Sequence, residues 1–209
     1  GIMAMVGWSC HWEWEGYLGT PCDEYGGIIN EHDVNLIANS FNDQVLWLRN
    51  HPSIICWFVG SDMMPRPELE KRYKEILERT DDRIYINSAK EMTSSISGKS
   101  GMKMAGPYEY VAPNYWYSKE AMGGAFGFNT ETGIGAQLPV IESLKKIIPK
   151  DQLWPMGDAW NYHCTASKEA MNSLTELTKA INTHYGKATD INDYLRKADL
   201  LNYDGTRAM

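Results

Sequence analysis

The chain has 209 residues, 43% hydrophobic and 22% charged, which suits one globular domain or a large piece of one and excludes a disordered chain. Its 20 Lys and Arg against 27 Asp and Glu leave a net charge of −7, which argues against a nucleic-acid partner, because that needs clustered basic residues. No apolar run is long enough to span a membrane and none has the form of a signal peptide, so no membrane partner is expected.

Residues 2–8 form an apolar run ending in Gly7-Trp8. It reads as a buried strand with no lead-in, as if the chain opened in the middle of a domain. A polar, Gly-rich loop follows over 9–31. A helix is expected over 33–49, with Val34, Ile37, Phe41, Val45 and Leu48 on one face and Asp33 as its cap. Asn50-His51-Pro52 stops it. Residues 53–60 are a continuous apolar run, suited to a parallel strand covered on both faces, and end in Ser61-Asp62. A second helix is expected over 67–79, with Pro67 in its first turn and Leu69, Tyr73, Ile76 and Leu77 inward.

Residues 83–87 read as another strand and 102–105 as one more, before an aromatic stretch over 108–117. Residues 125–129 read as a strand ending in Thr130-Glu131. A short helix over 139–148 follows, then a strand signal over 153–160 weakened by Pro155. Two helices close the chain, 167–185 with Gly186 as its stop and 190–201. Strands alternating with helices indicate a parallel α/β fold. About six strands are expected, where a closed (β/α)8 barrel needs eight, so a barrel formed here lacks its first two strands.

The four cysteines, Cys10, Cys22, Cys56 and Cys164, form no C-x-x-C pair and no zinc spacing. His11-Trp12-Glu13 resembles a deaminase motif only in part, because its P-C-x-x-C partner is absent. Neither a metal nor a cofactor is implied. A Cys10–Cys22 disulfide stays open, and Cys56 reads as a buried thiol.

Two acids stand at expected strand ends, Asp62 and Glu131. That is where a (β/α) barrel performs its chemistry, and a carboxyl pair flanking a bond is the constellation for glycoside hydrolysis. From position alone such an acid is more often structural, with Asp62 capping the helix near Pro65 and Glu131 pairing with a lysine.

The surrounding residues add a family. Leu48-Arg49-Asn50-His51-Pro52-Ser53-Ile54, followed by Trp57-Phe58-Val59-Gly60-Ser61-Asp62, resembles the acid strand of glycoside hydrolase family 2. Most members end that strand in Asn-Glu; the Gly60-Ser61-Asp62 ending resembles the exo-β-D-glucosaminidase subgroup. The stretches 100–111 and 114–117 look like that subgroup's sixth-strand region, and 123–132 like its nucleophile strand. Trp154-Pro155 through His163, and 192–198, look like its eighth-strand region and last helix.

The resemblance covers nearly the whole chain. It implies a partial (β/α)8 TIM barrel, about strands three to eight, filling 1–209 as the catalytic domain of a larger multidomain enzyme. The family's preceding sugar-binding and immunoglobulin-like domains are not in this chain, nor is its second-strand carboxylate thought to meet the substrate amine. The implied activity is retaining, exo-acting hydrolysis of β-1,4-linked glucosamine from chitosan-type oligosaccharides, with Asp62 as proton donor and Glu131 as nucleophile.

Ser61, Tyr108, Glu109, Tyr115, Trp116, Asn129 and Trp160 are the expected substrate contacts. Core packing competes for Trp160, a Lys103 ion pair for Glu109, and a structural role is expected for His163. A β-mannosidase-like enzyme and an inactive carbohydrate-binding fragment are the alternatives. The expected partners are an oligosaccharide and either the remaining domains or a second copy completing the barrel, in a secreted or periplasmic protein.

Overall fold

A computed structural model describes residues 1–7, 19, 21–117, 127–133, 135–164 and 174–209. Its contacts divide the chain into two units, Gly1–Met104 and Ala105–Met209.

The first unit is a βαβαβ segment. The opening apolar run forms β1, Ala4–Gly7. Helix α1 spans Glu31–Leu48. Its cap is Asn30 rather than Asp33: the Asn30 side chain accepts from the Asp33 amide at 2.9 Å and donates to the Asp33 carboxylate at 2.7 Å. The first bond satisfies one backbone donor that a helix start leaves open, and the second ties the two side chains together, so the helix begins earlier than expected. Strand β2 is Ile54–Phe58, helix α2 is Pro67–Thr80 with Pro67 in its first turn, and β3 is Ile84–Ile86. The three strands pair in parallel in the order β1-β2-β3.

Four of the five β2 residues are buried, as its apolar sequence predicts, while Ile55 is exposed. Ile54, Trp57 and Val59 pack with Val34, Phe41 and Val45 of α1 and Leu69, Tyr73 and Leu77 of α2. Phe41 is fully buried, edge-on to Trp57 at 6.0 Å and tilted on Tyr73 at 4.6 Å, both favoured aromatic geometries. Cys56, Phe58 and Ile86 form a second cluster with Met5, Ala89 and Met102.

The Arg49–Ser53 motif is a structural corner. The Arg83 guanidinium donates to the carbonyls of Ile54 at 2.7 Å, Arg49 at 2.8 Å and His51 at 3.2 Å, and is paired with Asp81. Arg49 in turn donates to the Thr80 carbonyl at 3.0 Å. These bonds fix the entry to β2 and so its exit. A two-stranded antiparallel hairpin, β4 Thr93–Ser94 with β5 Gly98–Lys99, was not anticipated.

The second unit is helical among the described residues: α3 Ile141–Ile147, α4 Asp158–His163, α5 Thr175–Tyr185 and α6 Ile191–Ala208, with a 3-10 turn at Pro113–Tyr117. Gly186, at φ +74°, ends α5 as expected. Asp190 caps α6, accepting from the amides of Asn192 at 2.8 Å and Asp193 at 3.0 Å. Leu177, Ala180 and Ile181 of α5 pack on Tyr194, Ala198 and Leu201 of α6.

The expected six strands are therefore corrected. Among the described residues the parallel sheet has three, and the architecture is mixed α/β. Residues 102–105 form no strand, because Gly101 at φ +71° and Gly106 at φ +67° turn the backbone out of the extended region at both ends. Residues 153–160 lead into α4 instead: Pro155 offers no ladder donor, and Trp160 reaches its apolar neighbours from the helix. Residues 125–126 of the expected nucleophile strand lie outside the described residues, and 127–129 join neither sheet. The beginning of the expected 167–185 helix, and Cys10 of the open disulfide, also lie outside them.

Candidate active site

The acid-bearing loop leaves the carboxyl end of β2. The Val59 amide donates to the Ile86 carbonyl at 3.0 Å, the last step of the sheet. The Gly60 carbonyl then accepts from the Ala89 amide at 3.0 Å. The Ser61 carbonyl accepts from the Lys90 amide at 3.2 Å and the Ser88 hydroxyl at 2.7 Å. Gly60 is required by close approach: a Cβ there would lie 2.2 Å from the Met63 carbonyl oxygen and 2.4 Å from that of Asn87. The chain is thus pinned up to the residue before Asp62.

Asp62 itself is half-buried. It does not cap α2, whose cap position is Arg66, and it forms no ion pair among the described residues. The helix-cap alternative is thereby removed.

The second acid lies in the second unit. Glu131 is half-buried, and its Oε2 accepts from the Tyr108 hydroxyl at 2.9 Å. Its partner is a phenol, and no lysine pairs with it among the described residues. The segment carrying Glu131 is laced to 105–107. The Asn129 side chain accepts from the Ala105 amide at 3.2 Å and donates to the Gly106 carbonyl at 2.5 Å. The Gly133 amide donates to the Pro107 carbonyl at 3.0 Å. Just beyond, Gly135 sits at φ +98°, where a Cβ would meet the Tyr110 amide nitrogen at 2.5 Å. Burial, then the Asp204 charge, push the Tyr110 phenol above its usual pKa, so it stays protonated against this turn.

The remaining expected contacts divide. Tyr108 is exposed and Glu109 half-buried, and Glu109 forms no ion pair among the described residues, with Lys103 or any other. Tyr115 is only 7% exposed and meets Trp116 edge-on at 5.1 Å. The Tyr115 hydroxyl and the Trp116 indole N–H have no hydrogen-bond partner among the described residues. Asn129 spends both ends of its amide on the backbone, which makes it a brace for Glu131. Trp160 is a core residue: it is 3% exposed, packs with Leu144, Ile148, Leu153 and Ile191, and donates to the Leu153 carbonyl at 3.0 Å. The expectation that it edges the sugar gives way to its packing. His163 is held by the Ile147 carbonyl at 2.8 Å, at the end of α3, in the structural role expected.

One polar group escaped the sequence reading. Glu70, on the buried face of α2, accepts from the hydroxyls of Ser94 and Ser97 in the hairpin. The signal was present in two parts: an acid in register with Tyr73 and Leu77, and the Ser/Gly cluster at 94–98 that marks a turn.

The chain is 35% identical to an exo-beta-D-glucosaminidase of Streptomyces avermitilis, over 100% of the chain and 23% of that protein. It is 36% identical to an exo-beta-D-glucosaminidase of Amycolatopsis orientalis, over 100% of the chain and 20% of that protein. A solved structure of the exo-beta-D-glucosaminidase CsxA superposes with a TM-score of 0.82 at 35% identity, covering 99% of this chain and 25% of that one. No family model matches. The chain therefore spans about a quarter or less of the length of these relatives. Over its full length it is a homologue of a segment of the exo-beta-D-glucosaminidases, the group of glycoside hydrolase family 2 that its motifs resemble.

Proposed function

We propose that this chain carries the proton donor and the nucleophile of a retaining, exo-acting β-glycoside hydrolase that releases glucosamine from chitosan-type oligosaccharides. The observation that carries the reading is the full-length relation to exo-beta-D-glucosaminidases in a chain whose Asp62 emerges at the carboxyl end of a parallel strand.

The chemistry runs in two steps. Asp62 gives its proton to the glycosidic oxygen while a Glu131 carboxylate oxygen attacks the anomeric carbon. The leaving sugar departs as an alcohol, and a glycosyl ester on Glu131 remains. Asp62, now a carboxylate, takes a proton from water. That water displaces Glu131 and restores the β configuration. The Tyr108 hydroxyl, already on Glu131 Oε2, aids departure of the carboxylate in the second step.

Ser61 replaces the Asn that most of family 2 places beside the acid. Its short side chain fits a sugar whose 2-substituent is an amine rather than a hydroxyl. Within the same proposal the chain supplies part of a (β/α)8 barrel, with β1, β2 and β3 among its strands. The rest of the protein, or a second copy, supplies the remaining strands and the outer domains. A polymeric substrate accords with a secreted or periplasmic protein.

The test is to express the full-length protein and assay chitosan oligosaccharides beside aryl β-mannosides. Stepwise release of glucosamine from the non-reducing end supports the reading. Cleavage of mannosides alone defeats the amino-sugar assignment. Sugar binding without turnover, unchanged by Glu131→Gln, would instead make the chain a carbohydrate-binding segment.

A further inference from the structure

The acid loop does not rest on the sheet alone, and its outer support leads back to a buried charge. Glu70 is 1% exposed. An ionised carboxylate at that depth is costly unless fully bonded. Its partners are hydroxyls: Ser94 on Oε2, and Ser97 on Oε1 at 2.5 Å. Each serine spends its proton on Glu70 and accepts elsewhere. Ser94 accepts from the Ile96 amide at 2.9 Å, and Ser97 from the Asn87 side-chain amide at 2.8 Å.

Asn87, 2% exposed, also donates to the Gly98 carbonyl at 2.8 Å. Its own carbonyl oxygen is one of the two atoms that crowd Gly60. The next residues, Ser88, Ala89 and Lys90, make every bond described above to the carbonyls of Gly60 and Ser61. On their outer side the Ser100 hydroxyl donates to the Lys90 carbonyl at 2.7 Å. What the carboxylate adds is the orientation of two serines and, through one of them, of Asn87.

We infer that Glu70 is a positioning residue for the acid: through Ser94, Ser97 and Asn87 it fixes the 87–90 segment on which the Gly60–Asp62 loop is held. The kinetic consequence rests on the hydrolase reading above; the structural one does not. Asp62 must meet the glycosidic oxygen within hydrogen-bond reach, so loosening its support slows turnover more than it weakens sugar binding.

The experiment uses the full-length protein with Glu70→Leu and Glu70→Gln, and Ser97→Ala as a second variant that cuts one link should Glu70→Leu fail to fold. Amide hydrogen exchange at Ala89 and Lys90 and the kinetics on chitosan oligosaccharides are the readouts. Glu70→Leu is expected to speed exchange at those two amides by about 10-fold or more. It is also expected to lower kcat by about 10-fold with KM within about twofold. Glu70→Gln, which keeps one acceptor oxygen, falls between it and the unsubstituted protein.

Unchanged exchange at Ala89 and Lys90 overturns the inference, whatever the melting temperature does. Faster exchange with unchanged kcat overturns the positioning role. If the unsubstituted protein cleaves no sugar, the hydrolase reading fails while the exchange experiment still decides whether Glu70 holds the loop.

Discussion

Replacing Gly60 by alanine tests the tightest contact beside the candidate acid. The added Cβ would stand 2.2 Å from one backbone oxygen and 2.4 Å from another. Both distances fall more than about 1 Å short of an ordinary non-bonded contact. Neither oxygen can swing aside as a side chain would: one ends the Asn87 peptide, beside the last residue of β3, and the other belongs to Met63, one residue past Asp62. The backbone must therefore move, and overpacking of this kind costs about 3 kcal/mol. For a folding unit of about the length of this chain that corresponds to a fall in melting temperature of about 6–12 °C. Gly7→Ala is the control, because among the described residues a Cβ there meets nothing within 4 Å and no positive φ is involved. Its melting temperature should stay within about 2 °C of the parent. Thermal unfolding followed by circular dichroism measures both. A Gly60→Ala protein that melts with the Gly7→Ala control would refute the claim that the loop is clamped.

Three further outcomes are expected. Tyr108→Phe removes the 2.9 Å bond to Glu131; because Tyr108 is 38% exposed the loss is modest, about 1 kcal/mol or fivefold in kcat, read by steady-state kinetics. Lys197, then Arg196 and the Thr189 amide, hold the Asp193 carboxyl well below its usual value of 3.8. Its folded form stays charged where the unfolded chain is protonated, so its contribution is full above pH 3.8 and is lost as pH falls toward the lowered value. Asp193→Asn should therefore melt lower than the parent near neutral pH, with the difference shrinking below about pH 3, as differential scanning calorimetry would show. Cys56 is 2% exposed and burial pushes its thiol up, so a thiol reagent should leave it unmodified until denaturant is added, as peptide mapping would reveal.

Much of the first unit was legible in the sequence because local signals and burial agree there. Pro67 opens α2, the apolar 54–58 stretch forms a parallel strand buried except at Ile55, and the inward face of α1 is the one its spacing predicts. The cap of α1 was misread because Asp33 and Asn30 are both capping residues, and only their reciprocal bonds show which lies at the boundary. In the second unit an apolar run was a poor guide to strands. Around Trp160 the apolar side chains serve a small helix, and Pro155 denies the segment a ladder.

The two candidate acids are proposed from the motifs around them, and the structure adds the atoms that hold their segments. What stayed hidden is of one kind. Glu70, Ser94, Ser97 and Asn87 are far apart in the chain, each is ordinary alone, and only tertiary contact makes them a unit. Trp160 errs the other way: a flat aromatic side chain suits a core and a sugar equally, and its burial decides.

The most direct test of the proposed chemistry uses Asp62→Asn in the full-length protein with an aryl β-glucosaminide. Such a leaving group departs without a proton, so the first step proceeds while the second lacks its base. The account predicts a burst of aryl alcohol equal to the enzyme present, followed by slow turnover. Mass spectrometry of the quenched protein should find one glucosaminyl ester, on Glu131. No burst, or a sugar carried by any other residue, would contradict it.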